Sequence, residues 1–384
     1  MSFEFNAPTR IIFGKGAARQ IAPEAKRLGR HALAVTGASP DRAAAIMEDL
    51  RKAGVETTLF SFPKEPSVQA VQEGIRAARD QGCDLVLGVG GGSPIDGAKA
   101  IAALITNTGD MTQYLEVIGD GRPIEKSPAP VIAVPTTAGA GAEVTRNAVI
   151  KVDNHRVKVS MRSPLMVPDI AVVDPLLTVS MPQATTAACG LDALTQVLEP
   201  FVSCHASPLT DALCRDGMRL AARSLKRAYD NGDDLAARED MCIASLFGGL
   251  ALANAKLGAV HGFAGPLGGM YDAPHGVLCG RLLPPVTTTN IAALKQRSKD
   301  AASLAKYDEV ARILTGQLNA TAEDAARWLS DIGDALALPP LSTFGIRAQD
   351  VDDIVEKSKH ASSMKGNPIA LTDGELKEII ETVL

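Results

Sequence analysis

Aromatic residues, strong net charge and long apolar runs are all scarce in this sequence. Aromatic side chains make up 4% of the 384 residues, too few for the stacking platforms that bind single-stranded nucleic acids. The formal net charge is −5, with acidic and basic residues interspersed, so the sequence predicts no basic surface for a phosphate backbone. Nucleic-acid partners are therefore not expected.

Membrane and secretion signals are also missing from the sequence. No segment offers about 18 consecutive uncharged apolar residues, the length that a membrane-spanning helix needs. Residues 1–6 lack the basic segment and the following apolar run of a secretion signal. We expect neither membrane insertion nor secretion, and hence a cytoplasmic protein.

Cysteines are few and widely scattered. The chain has six, without a C-x-x-C pair: Cys83, Cys189, Cys204, Cys214, Cys242 and Cys279. This spacing predicts neither a disulfide framework nor a thiolate zinc cluster, and it fits a reducing cytoplasm. Cys189 lies close to Asp192 in the sequence and could be a nucleophile, although a small apolar filler is the commoner role of such a residue.

Short apolar runs alternate with alanine-rich helical patterns over the first half of the chain. The runs cover residues 10–13, 32–35, 57–60, 85–88, 131–134 and 170–173. Such strands, separated by helices, are typical of a parallel sheet that is covered on both faces. Because 46% of the residues are hydrophobic, the chain can bury the cores of two domains. We predict that residues 1–178 form a doubly wound, Rossmann-like α/β domain.

The second half of the chain is almost entirely helical in pattern. It is interrupted near residues 231–234, in a glycine-rich stretch at residues 258–276 and at Pro339–Pro340, where glycine and proline break helices. We therefore predict an all-α C-terminal domain over residues 179–384.

A glycine-rich turn follows the fourth apolar run. Gly90, Gly91, Gly92 and Ser93 lead into a helical pattern with Pro94 in its first turn, where proline is tolerated. Ligands of doubly wound sheets bind beyond the carboxyl ends of the strands, and the N–H groups at a helix N-terminus bind pyrophosphate. The turn is therefore a candidate dinucleotide site, although such a sequence taken alone more often forms only a tight turn.

Two histidines, His261 and His275, stand in the glycine-rich stretch. Imidazole is the commonest transition-metal ligand, and glycine lets the backbone turn sharply enough to bring two rings to one point. Asp192 and Gln196 are four residues apart, so they share one helix face and offer oxygen ligands. These four residues are candidate metal ligands. The alternative is that both histidines are ordinary partly buried residues and that Asp192 is a surface or capping acid.

The pattern resembles a known family. Asp192, His261 and the segment Pro274-His275-Gly276 are similar to the metal site of the iron-containing (group III) alcohol dehydrogenases. The resemblance covers nearly the whole chain, with further matches at residues 90–99, 135–139, 173–175 and 366–368. It implies an NAD(P)-dependent alcohol dehydrogenase, or an aldehyde or ketone reductase, with one divalent metal, iron(II) or zinc. It also implies a small-molecule alcohol or aldehyde substrate, hydride transfer at nicotinamide C4 in the cleft between the domains, and a homo-oligomer, in particular a dimer.

The resemblance also assigns residues to the cofactor. It implies that residues 90–93, Thr136 and Thr137 contact the dinucleotide and that Asp96 lies near the nicotinamide. Asp96 and the lysine three residues later could instead be exposed polar positions. Lys158 matches a lysine near the nucleotide in relatives, although a solvated lysine is an equal alternative.

Gly37 lies in the turn that selects between NAD and NADP. An acid in this turn bonds the ribose 2′-hydroxyl of NAD and repels a 2′-phosphate, and relatives that prefer NAD often carry aspartate at the position of Gly37. Arg42 would favour the phosphate of NADP, whereas Asp41 would oppose it. The cofactor is therefore written NAD(P).

Two positions depart from the family pattern. Gln196 stands where the family has a histidine ligand, and an amide oxygen is a harder, weaker donor than imidazole. Related glycerol dehydrogenases and dehydroquinate synthases manage with one acid and two histidines on zinc, so Gln196 is either a loose ligand or a supporting residue. Gly265 stands where many relatives have a histidine beside the substrate. A proton relay there is absent, and we expect room for a larger substrate against Phe263, Leu267 and Met270.

Two alternative functions follow from these departures. One is a metal-independent reductase on the same scaffold, similar to maleylacetate reductases. The other is a non-catalytic interaction or filament-forming protein, which the two lost histidines favour. The retained Asp192, His261 and His275 argue against such a loss of activity.

Overall fold

The chain divides into two units. The computed structural model describes residues 2–155, 157–298 and 301–384. The α/β unit comprises Asn6–Thr137 and Gly141–Val179. The helical unit comprises Ala138–Ala140, Ser180–Leu384 and a short N-terminal segment that ends at Phe5. That the first unit binds the cofactor and the second holds the metal stays a prediction.

Six parallel strands build the sheet of the α/β unit. In chain order the strands of this unit are β1 (Arg10–Phe13), β2 (His31–Thr36), β3 (Glu56–Ser61), β4 (Leu85–Gly90), β5 (Val131–Pro135), β6 (Asn147–Val152), β7 (Val157–Arg162) and β8 (Ile170–Val173). The sheet has the order β1-β8-β5-β4-β2-β3, and β6 and β7 form a separate antiparallel hairpin. Each predicted apolar run lies within a strand of the sheet, so the predicted parallel sheet is confirmed. Apolar runs do not reveal β6, because its residues are alternately buried and more exposed.

Helices cover both faces of this sheet. They are α1 (Ile21–Leu28), α2 (Ala44–Lys52), α3 (Val68–Asp80) and α4 (Gly92–Thr106). Leu85 and Leu87 of β4 lie in one hydrophobic core with residues of α1 and α2, whereas Val86 lies in a second core with residues of α3 and α4. Because alternate residues of a strand point to opposite faces, each face is buried by its own helices. The predicted doubly wound architecture is confirmed.

The second unit is built from α-helices, as predicted. In the part of the chain that the structure describes they are α5 (Gln183–Val202), α6 (Pro208–Asp230), α7 (Leu235–Ala255), α8 (Ala259–Met270), α9 (His275–Arg297), α10 (Ala301–Thr315), α11 (Ala322–Ala335), α12 (Val351–Lys359) and α13 (Asp373–Thr382). The buried helix α5 packs against α6, α7 and α9. None of the described helices alone has the length and apolar character of a membrane span. Among the described helices, α7 and α8 have this length and apolar character only when they are counted together, and a bend of 99° separates them.

The glycine-rich stretch differs from its prediction. It is mostly helical, because α8 runs through it and His275 opens α9, so that only residues 271–274 link the two helices. Tight packing explains the difference: a Cβ on Gly262 would lie 2.7 Å from Cε of Met364. Burial of this kind overrides the low helix propensity of glycine.

Lys99 ties α4 to the segment that leads into β6. The residue is 1% exposed. Its ammonium group donates to Oγ1 of Thr145 and to the carbonyl oxygen of Ala142, both at 2.9 Å, and to the carbonyl oxygen of Asn147. It also forms an ion pair with Asp96, at 2.9 Å between Nζ and Oδ1. Lys99 is therefore a buried structural residue and not an exposed polar position.

We expect the substitution Lys99→Met to destabilise the protein by about 3 kcal/mol, because it leaves a partly buried carboxylate and three oxygens without their donor. Urea unfolding of both proteins measures the change. The matched control is Lys64→Met, at an exposed lysine of the same unit, which should stay within about 0.5 kcal/mol. Equal losses in the two variants would contradict the structural role of Lys99.

Candidate functional site

Three helices of the helical unit bring the candidate metal ligands to one place. Asp192 and Gln196 stand one turn apart on α5, His261 lies in the first turn of α8, and His275 is the first residue of α9. Asp192, Gln196 and His261 are buried, and the side chain of His275 is 38% exposed. Residues that are distant in sequence therefore meet at a single point.

The potential ligand atoms converge closely. Nε2 of His261 lies 3.5 Å from Oδ1 of Asp192, and Nε2 of His275 lies 3.8 Å from the same oxygen. The centroids of the two imidazole rings are 5.3 Å apart, with 54° between the ring planes. One carboxylate oxygen and two imidazole nitrogens, a common donor set for divalent metals, thus share one small region.

Cys279 belongs to the same group, although the scattered cysteines of the sequence predicted no thiolate metal site. Its Sγ lies 3.8 Å from Nε2 of His261 and 3.6 Å from Nε2 of His275. One ligand atom each of Asp192, His261, His275 and Cys279 lies within 4.8 Å of the others. The sequence pattern that could have identified Cys279 is its position four residues after His275, about one turn of α9. All six cysteines are free thiols.

Glu199 orients His261 and was also missed. Its Oε2 accepts a hydrogen bond from Nδ1 of His261 at 2.6 Å, and its Oε1 accepts one from the N–H of Val260 at 2.7 Å. Because a carboxylate only accepts, the proton of this bond lies on Nδ1, and Nε2 is left to face Asp192 and Cys279. Carboxylates commonly hold metal-binding imidazoles in this way.

Gln196 supports Asp192 through its amide nitrogen. Nε2 of Gln196 donates to Oδ1 of Asp192 at 3.0 Å. Among the residues that the structure describes, none donates a hydrogen bond to the buried Oε1 of Gln196. A buried carbonyl oxygen without a partner is costly, and a cation at this place would relieve that cost.

The charges of the group shift its pKa values. Burial alone would raise the pKa of Asp192, but the hydrogen bond from His261 and the charges of both histidines outweigh burial and lower it. Burial alone would lower the pKa of His261 and of His275, but the acidic neighbours raise both, that of His261 well above its ordinary 6.5. Burial raises the pKa of the Cys279 thiol, yet the two histidines bring it below its usual value.

The expected apolar lining of a substrate pocket is wrong for two of its three residues. Phe263 and Leu267 are fully buried in the core, so neither offers a surface to a bound substrate. Gly265 lies one turn after His261 on α8, and a Cβ added there would meet no atom within 4 Å. The room expected at Gly265 is therefore present.

Most of the predicted cofactor residues lie at the carboxyl ends of adjacent strands. From β2 the chain continues to β3 on one side, and from β4 it continues to β5 on the other, which makes the place between β2 and β4 a switch point of the kind where doubly wound sheets bind ligands. Gly37 follows β2, residues 90–93 join β4 to α4, and Thr136 and Thr137 follow β5.

Glycines leave little spare room where these loops approach one another. A Cβ on Gly91 would lie 3.3 Å from Oγ1 of Thr137, and a Cβ on Gly37 would lie 3.4 Å from Cγ of Pro94. Gly91 is the N-cap of α4, whose first N–H groups lack partners within the helix. This narrow cradle at a helix N-terminus fits a pyrophosphate group.

Asp96 and Lys158 both have partners within the α/β unit. Besides its ion pair with Lys99, Asp96 accepts a hydrogen bond from the N–H of Val149 at 3.0 Å. Nζ of Lys158 donates to Oε1 of Glu65 at 2.6 Å, and the Lys158 side chain is only 9% exposed. Lys158 is therefore not the solvated lysine of the alternative above, and a cofactor contact for either residue stays a prediction.

The chain is similar to proteins of known activity over its whole length. The family model for iron-containing alcohol dehydrogenase matches residues 8–175, and the model for the C-terminal part of that family matches residues 186–384. The 1,3-propanediol dehydrogenase of Klebsiella pneumoniae is 35% identical over 98% of this chain and 97% of its own. The NAD-dependent methanol dehydrogenase of Bacillus methanolicus is 32% identical over 99% of each chain.

Solved structures give the same result. A crystal structure of 1,3-propanediol oxidoreductase superposes with a TM-score of 0.92, at 32% identity and with 100% of both chains covered. The sulfoacetaldehyde reductase of Bifidobacterium kashiwanohense, in complex with NAD+, superposes with a TM-score of 0.88, at 29% identity and with 100% of this chain and 99% of the other covered.

The pKa shifts predict how pH affects the metal-free protein. Because the folded-state pKa values of His261 and His275 lie above 6.5, their stabilisation is complete below pH 6.5 and is lost as the pH rises through the folded values. The Tm of the chelator-treated protein should therefore fall above pH 6.5, by about 2–4 °C for each kcal/mol lost. In Asp192→Asn, which lacks the partner carboxylate, the fall should be smaller. Thermal melts of both proteins from pH 6 to 9 measure it, and identical slopes would contradict the interaction.

Proposed function

The chain belongs to the iron-containing alcohol dehydrogenase family, and we propose that Asp192, His261 and His275 are the ligands of its divalent metal. It is an NAD(P)-dependent oxidoreductase that interconverts alcohols with aldehydes or ketones. When bound, the metal supplies a Lewis acid for the substrate oxygen and the nicotinamide supplies or accepts the hydride. The observation that carries the ligand assignment is the convergence of two imidazole nitrogens and one carboxylate oxygen from three helices.

The surroundings of these residues support the assignment. One acid and two imidazoles form a set that leaves a coordination position open, as catalytic metal sites do. Glu199 fixes the ring of His261 with Nε2 toward the other ligands, and the unpartnered Oε1 of Gln196 lies in the same buried region. In this proposal Gln196 acts mainly by holding Asp192, so it matters less than the three ligands.

We propose that the dinucleotide binds to the loops at the switch point of the sheet. The turn of residues 90–93 would take the pyrophosphate, and Thr136 and Thr137 would line the same crevice from the neighbouring strand. Gly37 places no acid beside the ribose, so both NAD and NADP should be accepted. Asp96 would act near the nicotinamide, and Lys158, held by Glu65, would be a more remote contact.

The substrate is proposed to be a small alcohol or aldehyde. The open space beside Gly265, on the His261 side of α8, gives room for a substituent on the reacting carbon. The homo-oligomer, in particular the dimer, and the cytoplasmic location stay predictions from the sequence, as does the division of cofactor and metal binding between residues 1–178 and 179–384.

Elemental analysis should find about one zinc or iron per chain. We expect His261→Ala to lose both metal and reductase activity, because it removes a ligand. Gln196→Ala should lose metal only partly, and Gln196→His should hold it more tightly, because imidazole is the better donor. Metal content and aldehyde reduction with NADH and NADPH are measured together for the four proteins. Full aldehyde reduction after exhaustive chelation, with no metal detected, would favour the metal-independent reductase instead.

The variant Gly91→Val should bind NADH and NADPH at least tenfold more weakly, since its side chain would fill the cradle between the glycine turn and Thr137. Fluorescence titration with each reduced cofactor measures this. The matched control is Gly333→Ala on α11, where an added Cβ meets no atom within 4 Å and binding should not change. Undiminished binding of both cofactors to a folded Gly91→Val protein would remove this turn from the site.

A further inference from the structure

We propose that the thiolate of Cys279 is a fourth protein ligand of the metal and that it makes this centre a zinc site in preference to an iron site. The inference rests on the ligand set proposed above, to which it adds one donor; the substrate oxygen would then bind as a fifth ligand, an expansion that catalytic zinc sites allow. No proposed role of Asp192, His261 or His275 depends on it. The two assignments can therefore be tested separately.

Four separations between the donor atoms lie close to those expected for one tetrahedral ion. Zinc bonds of about 2.0–2.1 Å to nitrogen or oxygen and about 2.3 Å to sulfur, at tetrahedral angles, place the donor atoms about 3.3–3.7 Å apart. Sγ of Cys279 lies 3.6 Å and 3.8 Å from the Nε2 atoms of His275 and His261. The same nitrogens lie 3.8 Å and 3.5 Å from Oδ1 of Asp192. The sulfur thus stands at the same separation from the imidazoles as the carboxylate oxygen does.

Two glycines on α9 allow Cys279 to lie close to α5, the helix that carries Asp192. A Cβ on Gly276 would lie 2.1 Å from the carbonyl oxygen of Ala188, and a Cβ on Gly280 would lie 2.7 Å from Cδ1 of Leu191. Side chains at these positions would push α9 away from α5. Since Cys279 stands one turn after His275, the close approach presents both residues to the same point.

The ordinary role of a buried cysteine, a small apolar filler, does not account for this position. Cys214 is as fully buried as Cys279. Yet among the described residues, Cys279 lies in a group of possible metal ligands that includes two imidazoles, and no other cysteine does. A filler needs only the right volume, whereas Cys279 directs its sulfur at both nitrogens.

A thiolate changes which metal the centre prefers. Soft sulfur donors favour zinc, whereas carboxylate, amide and imidazole donors alone discriminate less. Gln196 does not compensate with a soft donor, because its side chain can offer a metal only the hard amide oxygen. Metal binding would replace the S–H bond of Cys279 with a sulfur–metal bond and release the thiol proton to solvent.

Cobalt(II) substitution tests the sulfur bond directly. The full-length protein is stripped with a chelator and reloaded with cobalt alone, and its absorption spectrum is recorded. Thiolate ligation gives a charge-transfer band in the near ultraviolet, which we expect in the unaltered protein and in the control Cys214→Ser. The variant Cys279→Ser should bind cobalt without this band. Its zinc affinity, measured by chelator competition, should fall at least tenfold, and it should take up less zinc relative to iron(II) from an equimolar anaerobic mixture.

The outcomes separate the two proposals. Stoichiometric cobalt in the unaltered protein without the band, or a band that persists in Cys279→Ser, would overturn the role of Cys279 and leave the other three ligands standing. No cobalt binding to the unaltered protein would overturn both. If Cys279→Ser does not fold, zinc-edge X-ray absorption of the unaltered protein decides, because sulfur ligation gives a zinc–sulfur distance of about 2.3 Å, and a shell of nitrogen and oxygen alone would reject the assignment.

Discussion

The carboxylate of Glu199 is the constraint on which the site of the helical unit depends. One oxygen accepts the Nδ1 proton of His261 and the other accepts the N–H of Val260. A single buried group thus fixes both the ring of His261 and the first turn of the helix that carries it. Without it, two buried donors would be left unsatisfied, at about 1–3 kcal/mol each, and the ring would be free to turn. The direction of Nε2 of His261 therefore depends on Glu199 of α5 as well as on the course of α8.

A second anchor comes from a distant part of the chain. Oδ1 of Asn367 accepts the N–H of Ala259, and its Nδ2 donates to Oδ1 of Asn290 on α9 at 2.7 Å. Gly258 permits this arrangement, since a Cβ there would lie 2.8 Å from Oε1 of Glu199 and 3.0 Å from Oδ1 of Asn367. Residues 366–368 resemble the family pattern but include none of the proposed metal ligands. Their role in this structure is to support the start of α8. Asn367 and Glu199 together provide partners for N–H groups that the start of any helix leaves free.

The sequence allowed the fold and most of the centre to be predicted, for identifiable reasons. Continuous apolar strands are a strong pattern, and each of them lies in the sheet. Asp192, His261 and His275 stood out because histidine is rare here and its role is chemically narrow. Glu199 and Cys279 did not, because an acid and a cysteine on buried helix faces look like ordinary residues until another helix is placed against them. The helical course of α8 was hidden for a related reason: its glycines have low intrinsic helix propensity, and only tertiary packing overrides it.

Charge balance connects the folding of the helical unit with its metal. Asp192 and Glu199 are both buried, and uncompensated buried carboxylates are strongly destabilising. In the metal-free protein His261 and His275 lie against Asp192, His261 also bonds Glu199, and the acidic groups around the two imidazoles raise the pKa of both. A divalent ion held by the proposed ligands would supply positive charge to the same carboxylates. Zinc fingers, by contrast, are unfolded without their metal. Here the buried carboxylates of Asp192 and Glu199 have histidine partners without an ion.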